Sequence, residues 1–124
     1  MIEKFEVISL WAEDVPKTAH FYKDVLGLKL LPHHHGGRPL FEVGDAYLAI
    51  LKGKPHPAEE SDPDRFPLLV FRVQDLDAAV ERLQAHGAEL PWGVEGHNGP
   101  RWVMFHDPAG NLIELTEGVK VILT

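Results

Sequence analysis

An internal repeat of about sixty residues constrains this chain more than any other feature of its sequence. The first copy reads Phe5-Glu-Val-Ile-Ser-Leu-Trp-Ala-Glu-Asp14 and continues Val15-Pro-Lys-Thr-Ala-His-Phe-Tyr-Lys-Asp-Val-Leu-Gly27-Leu-Lys-Leu30. The second reads Phe66-Pro-Leu-Leu-Val-Phe-Arg-Val-Gln-Asp75 and continues Leu76-Asp-Ala-Ala-Val-Glu-Arg-Leu-Gln-Ala-His-Gly87-Ala-Glu-Leu90. Asp14 and Asp75 stand 61 positions apart, and Gly27 and Gly87 stand 60 apart. Each copy is a strand-like run, an Asp, a helical pattern, a Gly and a second apolar run.

Each piece has a physical reading. Asp14 and Asp75 stand where a helix needs a side-chain acceptor for the free N–H groups of its first turn. Pro16 falls in that first turn, where a missing N–H is harmless. Leu76, Ala79, Val80 and Leu83 recur at helical spacing and mark a buried stripe. Gly27 and Gly87 fit left-handed C-terminal caps. Strands are expected over 28–34, 40–43 and 46–52, and again over 88–92, 101–106 and 112–117, with turns at Gly36-Gly37 and Asp107-Pro-Ala-Gly110.

The fold class is therefore α+β, built of two βαβββ modules. The expected boundaries are 1–52 for the first module, 53–65 for a Pro-rich charged linker, 66–117 for the second and 118–124 for a C-terminal extension, all in one domain. Helices covering one sheet face would leave the other free to curl into a shared concave cleft, a form suited to holding a small molecule.

Composition removes several function classes. Acidic residues outnumber basic ones 19 to 12 for a net charge of −7, which opposes nucleic-acid binding. No stretch approaches the ~20 apolar residues of a membrane helix. The absence of cysteine excludes disulfides, thiolate nucleophiles and Cys-ligated metals. The opening Met1-Ile-Glu-Lys-Phe lacks the layout of a secretory leader, so a cytoplasmic location is expected.

Asp14-…-Phe21-Tyr22-…-Leu26-Gly27-Leu28, Val73-Gln-Asp-Leu-Asp-…-Gly87 and above all Phe105-His-Asp-Pro-Ala-Gly-Asn-Leu-Ile-Glu114-Leu115 carry a resemblance. The chain resembles the vicinal oxygen chelate superfamily, which includes glyoxalase I, extradiol dioxygenases, methylmalonyl-CoA epimerase and the bleomycin- and fosfomycin-resistance proteins. The resemblance implies a homodimer. It also implies, for the enzymes, a divalent metal held by His, Glu or Gln on four strands. Those positions fall here on Val7, Ala49, Leu68 and Glu114, one carboxylate among three apolar side chains. The expected metal and cofactor content is accordingly none. A bleomycin-resistance-like function follows, in which a small aromatic or apolar molecule, cationic where charged, is sequestered. The alternative is a metal-dependent lyase, isomerase or dioxygenase with an atypical site centred on Glu114, supplemented by His106 or His97.

Strand parity supplies the candidate ligand-binding residues: Ser9, Trp11, Tyr47, Arg72, Trp102, Met104 and Glu114 all point toward the expected cleft. Glu114 is the best catalytic candidate, because a carboxyl among apolar neighbours can exchange a proton near neutral pH. Its plainer role is an internal ion pair with Arg72 or Arg101. Phe5, Phe71, Val103 and Phe105 have the opposite parity and should pack against the helices. Trp92 belongs at the cleft mouth or a dimer contact. Among the histidines, His33-His34-His35 suits adventitious nickel or zinc on a hairpin. His20, His56 and His86 read as surface residues, and His97 sits in a loop able to close over a ligand.

Overall fold

The computed structural model describes residues 1–32, 37–56 and 67–118. The His33-His34-His35 hairpin, most of the expected linker and residues 119–124 of the expected extension lie outside them. Two compact units result: residues 1–56 with 108–111, and residues 57–107 with 112–124.

In the first unit, strand β1 (Val7–Ala12) leads into helix α1 (Val15–His20), then β2 (Lys29–Leu30), β3 (Leu40–Val43) and β4 (Ala46–Lys52). The backbone N–H of Lys17 donates to Asp14 Oδ1 at 3.0 Å, the expected cap. A π-helical segment, Phe21–Val25, extends α1, and Gly27 follows at φ +75°. The sheet order is β1-β4-β3-β2, with β1 parallel to β4 and the other pairs antiparallel. One face carries Ala12, Phe41, Leu48 and Ile50, all 1% exposed or less, which form a core with Tyr22 and Val25. The Tyr22 and Phe41 rings lie 6.2 Å apart.

The second unit repeats the plan: β5 (Leu69–Arg72), α2 (Leu76–Ala85), β6 (Val94–Glu95), β7 (Trp102–His106) and β8 (Leu112–Thr116), in the order β5-β8-β7-β6. Asp75 Oδ1 accepts from Ala78 N at 3.0 Å, and Gly87 has φ +82°. Val103, Phe105 and Ile113 are fully buried with Leu76 and Leu83, so the alternate residues of β7 and β8 form the core. Both units are mixed four-stranded sheets with a helix, the α+β class read from the sequence.

Three expectations are corrected. Residues 88–92 are not a strand. Pro91 has no N–H to give a ladder, and Gly93 N bonds back to Leu90 O at 3.1 Å to form a turn, so the corresponding strand is β6. Phe5 lies ahead of β1 and is 81% exposed, so it does not pack as its parity suggested. The second strand of the first unit is short, although the bond from Leu31 N to Leu40 O at 2.9 Å continues its pairing by one step.

Candidate functional site

The sheet face opposite each core holds the candidate residues, and each unit has its own. In the first unit, register places Val7 opposite Tyr47, Ser9 opposite Ala49 and Trp11 opposite Leu51. Ser9, Trp11 and Tyr47 are thus brought to one face. Val7 and Trp11 there are 45% and 50% exposed. The Trp11 ring lies over the backbone of Gly53, where a Cβ would stand 2.6 Å from its Cε3. The Trp11 carbonyl accepts from Asn111 Nδ2 at 3.0 Å. A half-exposed indole fixed in this way is a ready stacking surface.

In the second unit the β7–β8 hairpin pairs His106 with Leu112, Met104 with Glu114 and Trp102 with Thr116, the register expected from the sequence. The parallel partner of Glu114 is Val70, and that of Thr116 is Arg72. Arg72, Trp102, Met104 and Glu114 therefore share the open face, together with a residue that sequence reasoning missed. Glu95, on β6, stands opposite Trp102, and its Oε2 accepts a hydrogen bond from the indole Nε1 at 2.8 Å. A two-residue strand has no periodicity to reveal it.

The loop between β6 and β7 also fixes the indole. Gly96, at φ +96°, has the Pro100 carbonyl oxygen 2.7 Å and Trp102 Cζ3 3.0 Å from where a Cβ would sit. Only glycine leaves room for both the turn and the ring.

Glu114 is part-buried between Val70 and Met104. Its burial pushes the carboxyl above the usual glutamate range, and the negative charge of Glu95 pushes it further the same way. Neither Arg72 nor Arg101 neutralises it. Arg101 forms a bidentate pair with Asp77 at 3.1 and 3.2 Å and bonds Glu117 through Nε and Nη2 at 3.2 and 2.5 Å. It ties the start of β7 to the end of β8 and the first turn of α2. Arg72 is exposed near Gly118, and among the described residues no ion pair joins it to Glu114.

The remaining candidates lie apart from these faces or at their margins. His20 pairs with Asp24 at 2.6 Å on the exposed side of the first helix. His56, His86 and His97 are exposed, and Trp92 is 47% exposed in the turn before β6. His106 ends β7 on the open face. Among the described residues, no three His, Cys, Asp or Glu side chains gather as a metal would require. No helix among them is long and apolar enough to cross a membrane.

Two βαβββ units, each with one buried and one open sheet face, define a class of small α+β proteins made by repeating a single motif. The chain belongs to the Glyoxalase/Bleomycin resistance protein/Dioxygenase superfamily, whose profile matches residues 4–115. It is 32% identical over 119 residues to the protein YaeR of Escherichia coli (strain K12), covering 89% of this chain and 92% of that one. TnmS3, an antibiotic-binding protein from Streptomyces sp. CB03234, is 29% identical with a TM-score of 0.70 over 92% of this chain and 94% of its own. A lactoylglutathione lyase from Agrobacterium tumefaciens is 25% identical with a TM-score of 0.69 over 95% and 96%.

Proposed function

We propose that this chain acts as a cytoplasmic homodimer that binds a small, partly aromatic or apolar molecule, cationic where charged, and holds it without turnover. The observation carrying this reading is the open face of the second sheet, where Glu114 and Glu95 lie with Trp102 and Met104. Indole and thioether surfaces attract flat apolar groups. Carboxylates set among them reward a positive charge, which would offset both the burial that chiefly raises the Glu114 pKa and the Glu95 charge that adds to it. The open face of the first sheet, with Trp11, Tyr47 and Ser9, offers a second stacking surface. Similarity to TnmS3 supports a binding role, and the homodimer rests on the resemblance to the superfamily.

Similarity to the lactoylglutathione lyase favours a second reading, a metal-dependent lyase, isomerase or dioxygenase centred on Glu114. One experiment tests the binding reading. Denaturation midpoints are measured with benzyltrimethylammonium and with a planar polycyclic aromatic cation. A ligand that binds only the folded chain adds about 2.7 kcal/mol of stability at a hundred times its dissociation constant. Midpoints that rise for wild type and rise less for Glu114→Gln support binding. Midpoints that no such compound moves sink it.

A further inference from the structure

The metal on which enzymes of this resemblance rely can be set against the side chains that each unit supplies. In the first unit the two ligand positions are Val7 and Ala49, an isopropyl and a methyl group. Their partners across the strands are Tyr47 and Ser9, whose neutral hydroxyls are poor ligands for zinc, nickel or ferrous iron. The carboxylate on that face, Glu42, is paired with Lys29 at 3.7 Å. In the second unit the positions are Leu68 and Glu114. Leu68 is 41% exposed just ahead of β5, and Glu114 lies between Val70 and Met104. Glu95, the other carboxylate acting on Glu114, accepts from the Trp102 indole. A catalytic divalent site needs about three protein ligands, and these residues do not fit one.

We infer that the residues at the four strand positions, Val7, Ala49, Leu68 and Glu114, do not supply the donors of a divalent-cation site. The donor chemistry alone carries this inference. It stands apart from the aromatic-cation reading above, so failure of those compounds to bind would leave it intact.

The test uses the full-length, tag-free chain exposed to excess Mn2+, Ni2+ or Zn2+, passed through gel filtration and analysed for metal. Wild type is compared with Glu114→Gln and with a variant carrying His33→Ala, His34→Ala and His35→Ala. The expected result is well under one ion per wild-type chain. An ion retained equally by Glu114→Gln also supports the inference, because it sits elsewhere, and its loss in the triple histidine variant would locate it. One ion per chain that disappears in folded Glu114→Gln overturns the inference. Should that variant fail to fold, Mn2+ broadening of wild-type NMR resonances decides. Broadening centred on Glu114 overturns the inference, and its absence there supports it.

Discussion

Glu95 Oε2 accepts a hydrogen bond from Trp102 Nε1 at 2.8 Å, so a carboxylate fixes the indole on the open face of the second sheet. Burial is the main cause of the raised pKa of Glu114, two strands away, and the same carboxylate adds to it. One residue thus bears on both the ring and the charge of the candidate site. Glu95→Ala should leave the indole N–H without its partner at a cost of about 1 kcal/mol. The Glu114 pKa should fall part of the way and stay raised by burial. Carboxyl-detected NMR titration reads the second effect, and chemical denaturation the first.

Glu114→Gln should make the protein more stable at neutral pH. The folded-state pKa of Glu114 is raised above its unfolded value, so its favourable contribution is complete below the unfolded value of ~4.3 and lost as pH rises through the folded one. Denaturation midpoints of wild type and variant should converge in acid and diverge toward neutrality, with the variant higher. A variant that is less stable at neutral pH would contradict the assignment.

Arg101 produces the opposite pH dependence at Glu117. Its hydrogen bonds hold the Glu117 carboxyl below the usual range, so the stability they give is present above the unfolded carboxylate value and is lost as pH falls through the folded one. Arg101→Ala should therefore lower the midpoint at neutral pH by a small, salt-sensitive amount, since the pair is about one-third exposed. The loss should vanish in acid.

Gly96→Ala should shift Trp102. The added methyl would stand 2.7 Å from the Pro100 carbonyl in a backbone conformation that alanine resists. A loss of about 1–3 kcal/mol is expected. With Trp11 and Trp92 replaced by Phe, the emission maximum of the remaining indole should move to the red.

The two faces of the second sheet should respond differently to truncation. Phe105→Ala opens a cavity in a fully buried position and should cost about 3–5 kcal/mol. Val70 is 42% exposed, and Val70→Ala should stay within about 0.5 kcal/mol. Urea midpoints test both. A large loss at Val70 would mean that its face is covered in solution.

The sequence made the hairpin register legible because its turn, Asp107-Pro-Ala-Gly110, fixes which residues face each other, and parity then sorts Phe105 from Met104. The caps at Asp14 and Asp75 were legible for the same local reason. What escaped depended on contacts distant in sequence. Arg101 chose Glu117 and Asp77 over Glu114, and no spacing rule foretells a side chain's choice among three carboxylates. Glu95 escaped because two extended residues leave no pattern, and Phe5 because alternation does not show where a strand begins, and β1 begins only at Val7. The π-helical segment at Phe21–Val25 has no sequence signal that we can name.

The parallel pairs β1–β4 and β5–β8 join chain segments far apart in sequence, whereas β3–β4 and β7–β8 are hairpins. Chain-closure entropy makes the hairpins quick to form and the parallel edges late. Among the described residues β1 and β5 are also paired along one side only. Their amides should then exchange with deuterium sooner than those of β4 and β8, through brief local opening. Trp11 and Arg72 would each ride on such edge backbone in its own unit, so a molecule docked against either one would slow exchange in that strand.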